Sequence, residues 1–286
     1  MVALGRGLHY NGRRSFTVTE DIEALVAHIR RNLGDLDISM PGGEYEYSAL
    51  PLCVTDAVFS LGVRYESTER TVRELCERYG WEMSRKLASA ELTMSDFLKI
   101  LQPYENRWEE MARDVFRNHQ RTSSRSGILK SEAVYKVCKI LQDQGAETFA
   151  AFRRALESGQ GDDLRRAFTA VRGQGSGLSF NYLRILTGDT NAVKADRMVT
   201  RFVADAMRVR NVKPELCERL VREASAILRT EYPKLTPSLL DHVIWKYQRA
   251  QEEKPQTACC REPERELGSN LGPTTDKSGP KPCTTT

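Results

Sequence analysis

The chain has 286 residues, 40% of them hydrophobic and 29% charged, enough for one large core or two packed together. Its formal net charge of +4 does not by itself establish nucleic-acid binding, yet it permits a locally basic face on a near-balanced body. No apolar run reaches the length of a bilayer span and no signal peptide is seen, so a cytoplasmic, nucleoid-associated protein without a membrane partner is expected.

The seven cysteines have an odd count and no regular spacing, which argues against a disulfide framework. Cys53, Cys76, Cys138 and Cys217 stand in apolar helical contexts, where a thiol behaves as a small hydrophobe. Cys259, Cys260 and Cys283 lie in a polar tail without the spacing of an iron–sulfur or zinc loop. No metal and no cofactor are expected.

Helical periodicity dominates the chain and no strand alternation stands out, so an all-α fold is expected. After an N-terminal extension, 1–17, Thr19 is placed to cap a helix whose apolar face is Ile22, Leu25, Val26, Ile29 and Leu33. A Gly-Pro loop with Tyr45 and Tyr47 follows, and Pro51 leads into the apolar segment Leu52–Val63. Ser67 is placed to cap a helix carrying Val72, Leu75, Cys76 and Tyr79, stopped by Gly80. Further helices are expected near 94–102, 104–118, 130–144, 146–157 and 162–171, with Arg117–Ser126 as a polar loop. Pro214 and Pro237 read as first-turn prolines, the second behind a Thr236 cap. The last helix holds Leu239, Leu240, Val243, Ile244 and Tyr247. From Gln251 large apolar residues nearly vanish, so 251–286 is expected to be a disordered tail outside a helical domain of 18–250.

The chemistry concentrates in 171–202. Gly173-Gln174-Gly175-Ser176-Gly177 is a glycine hairpin between two amphipathic segments. A turn that tight needs positive φ, which glycine adopts without a Cβ penalty. The amides opening the second helix are unsatisfied donors with the dipole's positive end behind them, an arrangement that holds a phosphate without reading sequence. One helix and a short loop later, Asp196 opens Asp196-Arg197-Met198-Val199-Thr200-Arg201-Phe202. Its commonest job there is an N-cap. A carboxylate can also stabilise the oxocarbenium character a sugar develops when its glycosidic bond breaks, and orient or deprotonate water.

This order resembles the helix-hairpin-helix (HhH-GPD) DNA glycosylases over most of residues 50–205. Ser126-Gly127-Ile128-Leu129-Lys130-Ser131-Glu132-Ala133 is similar to the family's Gly-aromatic-x-x-Lys-Ala element, and Val171–Gly175 to its hairpin, with Arg172 where proline is common. Val193–Arg201 is similar to its catalytic strip, Val199 and Arg201 matching the trailing apolar and basic positions. The resemblance implies a two-lobed helical fold, a 50–190 bundle facing a lobe of 18–49 and 196–250, with the active site in the cleft. It implies a monomer that acts on double-stranded DNA containing a modified base. Family members that also cut the strand carry a lysine two residues after the second hairpin glycine, and Gly177 stands there. Hydrolysis without lyase activity is therefore the expectation.

The resemblance makes Asp196 the catalytic residue and gives DNA contacts to Gly173, Gln174, Gly175, Ser176 and Gly177, with Arg121, Arg125 and Lys130 available for phosphates. The family often places gap-filling glutamines near Ser60–Tyr65; Arg64 and Tyr65 stand in that stretch, and both equally suit surface and core roles. Tyr45, Tyr47, Tyr65, Trp108 and Tyr182 are candidates for a base pocket or for helix packing, and sequence does not choose among them. His119 and His242 have no metal-ligand spacing. Repair and defence against virus DNA with modified bases both suit such an enzyme. A non-catalytic helix-hairpin-helix DNA-binding protein and a purely structural helical protein are the alternatives.

Overall fold

The computed structural model describes residues 18–34 and 46–253, and in these it is all-α, with two isolated bridges, Tyr47 to Ser84 and Arg121 to Leu129. The Tyr45 and cysteine-tail expectations lie outside the described residues. Among those residues no helix is long and apolar enough to cross a membrane.

Helices α1 (Val18–Asn32), α2 (Leu50–Phe59), α3 (Tyr65–Tyr79) and α4 (Met94–Leu101) come first. Their sequences follow from how much of each is enclosed. All ten residues of α2 are buried, which is why eight of them are apolar, with only Thr55 and Asp56 polar, and Pro51 stands in its first turn. α3 instead buries one stripe, Thr68, Thr71, Val72, Leu75 and Cys76, and stops at Gly80 in the left-handed region. Ser67 is not its cap: the helix begins two residues earlier, and the Ser67 hydroxyl accepts from Gln120 Nε2 at 2.9 Å.

The expected helix at 104–118 is broken. A 3-10 turn (Gln102–Tyr104) and a short α5 (Trp108–Glu110) feed a π-helix, Met111–Phe116. Asn106 and Arg117 both take positive φ, at 63° and 48°, so the chain turns sharply at each end. Then follow α6 (Lys130–Asp143), α7 (Phe149–Glu157), α8 (Gly161–Ala170) and α9 (Leu178–Leu186). α7 starts later than periodicity suggests because Thr148 caps it, accepting from the Ala151 amide at 3.3 Å. α10 (Arg197–Met207), α11 (Pro214–Leu228) and α12 (Pro237–Glu253) complete the chain. Thr236 accepts from the Leu239 amide at 3.2 Å, the cap expected for α12.

Side chains gather into two apolar cores. One holds residues from Tyr47 to Leu186, with α2 between α6 and α9. The other joins Leu25, Val26 and Ile29 of α1 to the buried faces of α10, α11 and α12. Cys53, Cys76, Cys138 and Cys217 are free and buried within them. The cores meet through polar and aromatic contacts, Tyr65 against Trp245 at 6.2 Å and an Arg249–Glu66 ion pair. The segment between α9 and α10 crosses from one to the other.

Candidate active site

That crossing is held at several points. Arg184 Nε bonds Asp189 at 2.8 Å, whose other oxygen accepts from the Asn191 amide at 2.9 Å. Arg222 Nε donates to the Asn191 carbonyl at 3.0 Å, and Ser238 N–H to the Thr190 carbonyl at 3.1 Å. Asp241, buried in α12, accepts the Lys194 backbone N–H at 3.0 Å. Asp196 is thereby delivered to the start of α10, where Oδ1 accepts from the Met198 and Val199 amides at 2.8 and 3.2 Å. The cap uses one carboxylate oxygen and leaves Oδ2 without a hydrogen bond among the described residues, on a half-buried side chain.

Behind Asp196 lies a buried polar node that sequence reasoning missed. Asp56 of α2 is fully buried, and its Oδ2 accepts from Tyr47 and Tyr182 hydroxyls at 3.0 and 3.3 Å. Among the described residues its Oδ1 is buried with no partner. Burial pushes the Asp56 carboxyl up to about 6, opposed by the nearby Lys194 charge and the two hydroxyls. Lys194 Nζ sits 3.5 Å from the Tyr182 ring centroid and 3.3 Å from Ser60 Oγ. Burial lowers its pKa, while Asp196, Asp56 and Asp241 pull the other way. Asp241 is raised well above the usual carboxylate range, first by burial and then by Asp196. The signal is a lone charged residue inside an otherwise uncharged, mostly apolar helix, since such groups are seldom fully buried without a task.

The hairpin has the geometry its glycines suggest. Gly173 and Gly177 take φ of 90° and 73°. A Cβ on Gly173 would lie 2.2 Å from the Thr122 Cβ, so the loop before α6 packs directly on the hairpin. Gly175 and Ser176 are exposed, and among the described residues their amides donate to no backbone carbonyl. Gln174 is a correction: the whole residue is buried, its side chain accepts from Ser179 Oγ, and its amide donates to the Val171 carbonyl at 2.9 Å, so it is withdrawn from any phosphate.

Lys130 is the second correction. It is 1% exposed, and its ammonium donates to the Phe59 and Leu61 carbonyls at 2.8 Å each and to Gln120 Oε1 at 3.3 Å. These contacts close the C-terminal end of α2, so Lys130 is withdrawn from any phosphate. Burial lowers it to about 8. Arg121 pairs with Glu109 at 2.7 Å and bonds the Gly127 carbonyl at 3.2 Å, whereas Arg125 is exposed.

Of the aromatic candidates, the structure brings Tyr47 and Tyr182 to the node. Trp108 packs on Tyr135 at 5.5 Å, with Lys136 Nζ 5.9 Å from its ring, away from Asp56 and Lys194. Tyr65 meets Trp245 between the cores, and Arg64 is exposed just before α3. His119 lies 3.3 Å from Glu109 and His242 stacks on Trp245. Among the described residues no group of three His, Cys, Asp or Glu is placed to hold a metal ion. A cavity of about 370 Å³ beside Arg70 and Arg117, and another of about 810 Å³ beside His28 and Arg201, include neither Asp196 nor Asp56.

The model of a family described as a domain of unknown function (DUF8548) matches residues 23–249. No curated protein and no solved structure matches the chain.

Proposed function

We propose that this chain, which belongs to the DUF8548 family, is a monofunctional DNA glycosylase of helix-hairpin-helix type. The observation that carries the reading is Asp196: a helix-capping carboxylate with one oxygen committed to amides and the other unbonded, set where the two cores meet. The two cores correspond to the two lobes of such an enzyme, and the Gly175 and Ser176 amides to its phosphate cradle.

In this mechanism the nucleotide rotates out of the duplex and its sugar faces Asp196. The C1′–N bond breaks with its electron pair leaving on the base, and positive charge develops over C1′ and the ring oxygen. Asp196 Oδ2 stabilises that charge, a contribution on the order of several kcal/mol in a site shielded from water. Water adds to C1′ and gives up a proton to the carboxylate, while the base takes one from solvent. Oδ1, fixed by two amides, keeps the carboxylate in place without reorganisation. Gly177 offers no amine for a Schiff base, so the product is an intact strand with an abasic site.

The test is free-base release from duplexes carrying deaminated, oxidised, alkylated or virally modified bases, read by mass spectrometry. Released base together with strand breaks only after alkali supports the proposal. DNA binding that weakens with salt but releases nothing favours a non-catalytic binding protein in which Asp196 is only a cap.

A further inference from the structure

Resting on the glycosylase reading, we propose that Asp56 and Lys194 read the extruded base, Asp56 Oδ1 accepting an N–H from its edge and Lys194 Nζ donating to the adjoining oxygen. The substrate class that follows is a neutral lactam base, one with ring N–H beside C=O, as deamination or C8 oxidation produces.

Three features carry this. Among the described residues Asp56 Oδ1 is a buried acceptor with no partner, whereas Oδ2 of the same carboxylate is supplied by two tyrosine hydroxyls. A carboxylate held on one side and empty on the other is oriented toward a donor it lacks. Lys194 Nζ lies over the Tyr182 ring and beside Ser60 Oγ, on the segment that carries Asp196. Lys194, Tyr182 and Ser60 are half-buried and Asp56 is fully enclosed, so the node runs inward from the catalytic carboxylate.

The chemistry of base damage then selects the class. Deamination converts an acceptor ring nitrogen beside an amino group into N–H beside C=O, and oxidation at C8 does the same in the five-membered ring. Each change creates the donor that Oδ1 lacks and an acceptor for Nζ. Alkylation at a purine ring nitrogen removes acceptors and adds positive charge, which the Lys194 ammonium opposes. A site built around such a bond rejects adenine and cytosine, which lack it, by large factors, because its own buried groups are left unpaired. Thymine and guanine carry the same pair and are excluded at the extrusion step, which costs least for a mispaired or damaged base.

The experiment compares full-length wild type, Asp56→Asn and Lys194→Met on duplexes containing uracil, hypoxanthine, 8-oxoguanine, 7-methylguanine or 3-methyladenine. Binding to a duplex with a tetrahydrofuran abasic analogue, which has no base to read, is measured alongside. The expected result is release of at least one lactam base at more than ten times the rate of either methylated base. Asp56→Asn then lowers kcat/KM on it at least 100-fold while abasic-analogue binding stays within threefold of wild type, and Lys194→Met, folding independently of the Asp56 change, does the same in lesser degree. Wild-type preference for methylated bases, or variants within threefold of wild type on every base, overturns the recognition pair and leaves the glycosylase reading standing. Variants that lose base release and abasic-analogue binding together place the pair in structure only. No release from any duplex by wild type overturns the reading beneath it as well.

Discussion

Asp56 and Lys130 show how burial sets the behaviour of single residues here. The Asp56 carboxyl is raised to about 6 in the folded chain, above its ordinary 3.8. The folded state therefore binds more protons between those values, and stability falls as pH rises from about 4 to 6. Above that window the ionised carboxylate is a standing cost of about 1–3 kcal/mol, since each tenfold change in proton affinity corresponds to ~1.4 kcal/mol. Asp56→Asn is expected to raise the urea midpoint at pH 7 and to flatten the slope between pH 4 and 6. An unchanged or lower midpoint contradicts this. The same variant is expected to lose base recognition, so stability and activity move in opposite directions, which a packing residue does not do. Lys130 has the opposite balance, because its ammonium satisfies two buried carbonyls. Lys130→Ala is expected to cost about 2–4 kcal/mol by leaving them unpaired, measured by equilibrium unfolding. Its burial is hidden in the sequence because a lysine in a loop-to-helix element reads as a surface charge. The clue is that lysine opposes the dipole at a helix N-terminus, so something else must hold it there.

At the scale of elements, the helices were largely legible and the connections less so. Apolar stripes located α1, α3 and α12, and Gly80, Pro214 and Thr236 marked boundaries that the structure keeps. The segment after Pro103 escapes such a reading, because periodicity does not distinguish a continuous α-helix from one that turns at Asn106 and widens into a π-helix. The Asp196 cap was readable from residue type and position. The Asp56–Lys194 node was not, since it joins α2 to a loop far along the chain and depends on how the two cores dock. The hairpin gives a prediction of its own. Gly177 takes φ of 73°, and a Cβ there would come within 3.1 Å of Arg165 Nη2. Gly177→Lys, which installs the amine that strand-cutting relatives of the resembled family use, is expected to cost about 1–2 kcal/mol of stability through the left-handed backbone alone. Thermal unfolding checks this; an unchanged midpoint would mean that the hairpin shifts freely.

The whole molecule is two apolar cores whose junction is polar. Three carboxylates, Asp56, Asp196 and Asp241, lie around Lys194 there, each from a different stretch of chain. Such an arrangement costs stability that well-packed apolar side chains would not, and the proposed role in base release would account for its presence. Under that proposal Asp196 does more than cap α10. Asn caps a helix about as well as Asp, so Asp196→Asn separates the two roles without sacrificing the fold. The direct measurement is single-turnover base release by wild type and Asp196→Asn on whichever modified duplex the wild type cleaves at the glycosidic bond. A loss of at least 100-fold is predicted, with unfolding midpoint and duplex affinity preserved or the affinity increased. Release at the wild-type rate would contradict the mechanism and leave Asp196 a cap alone.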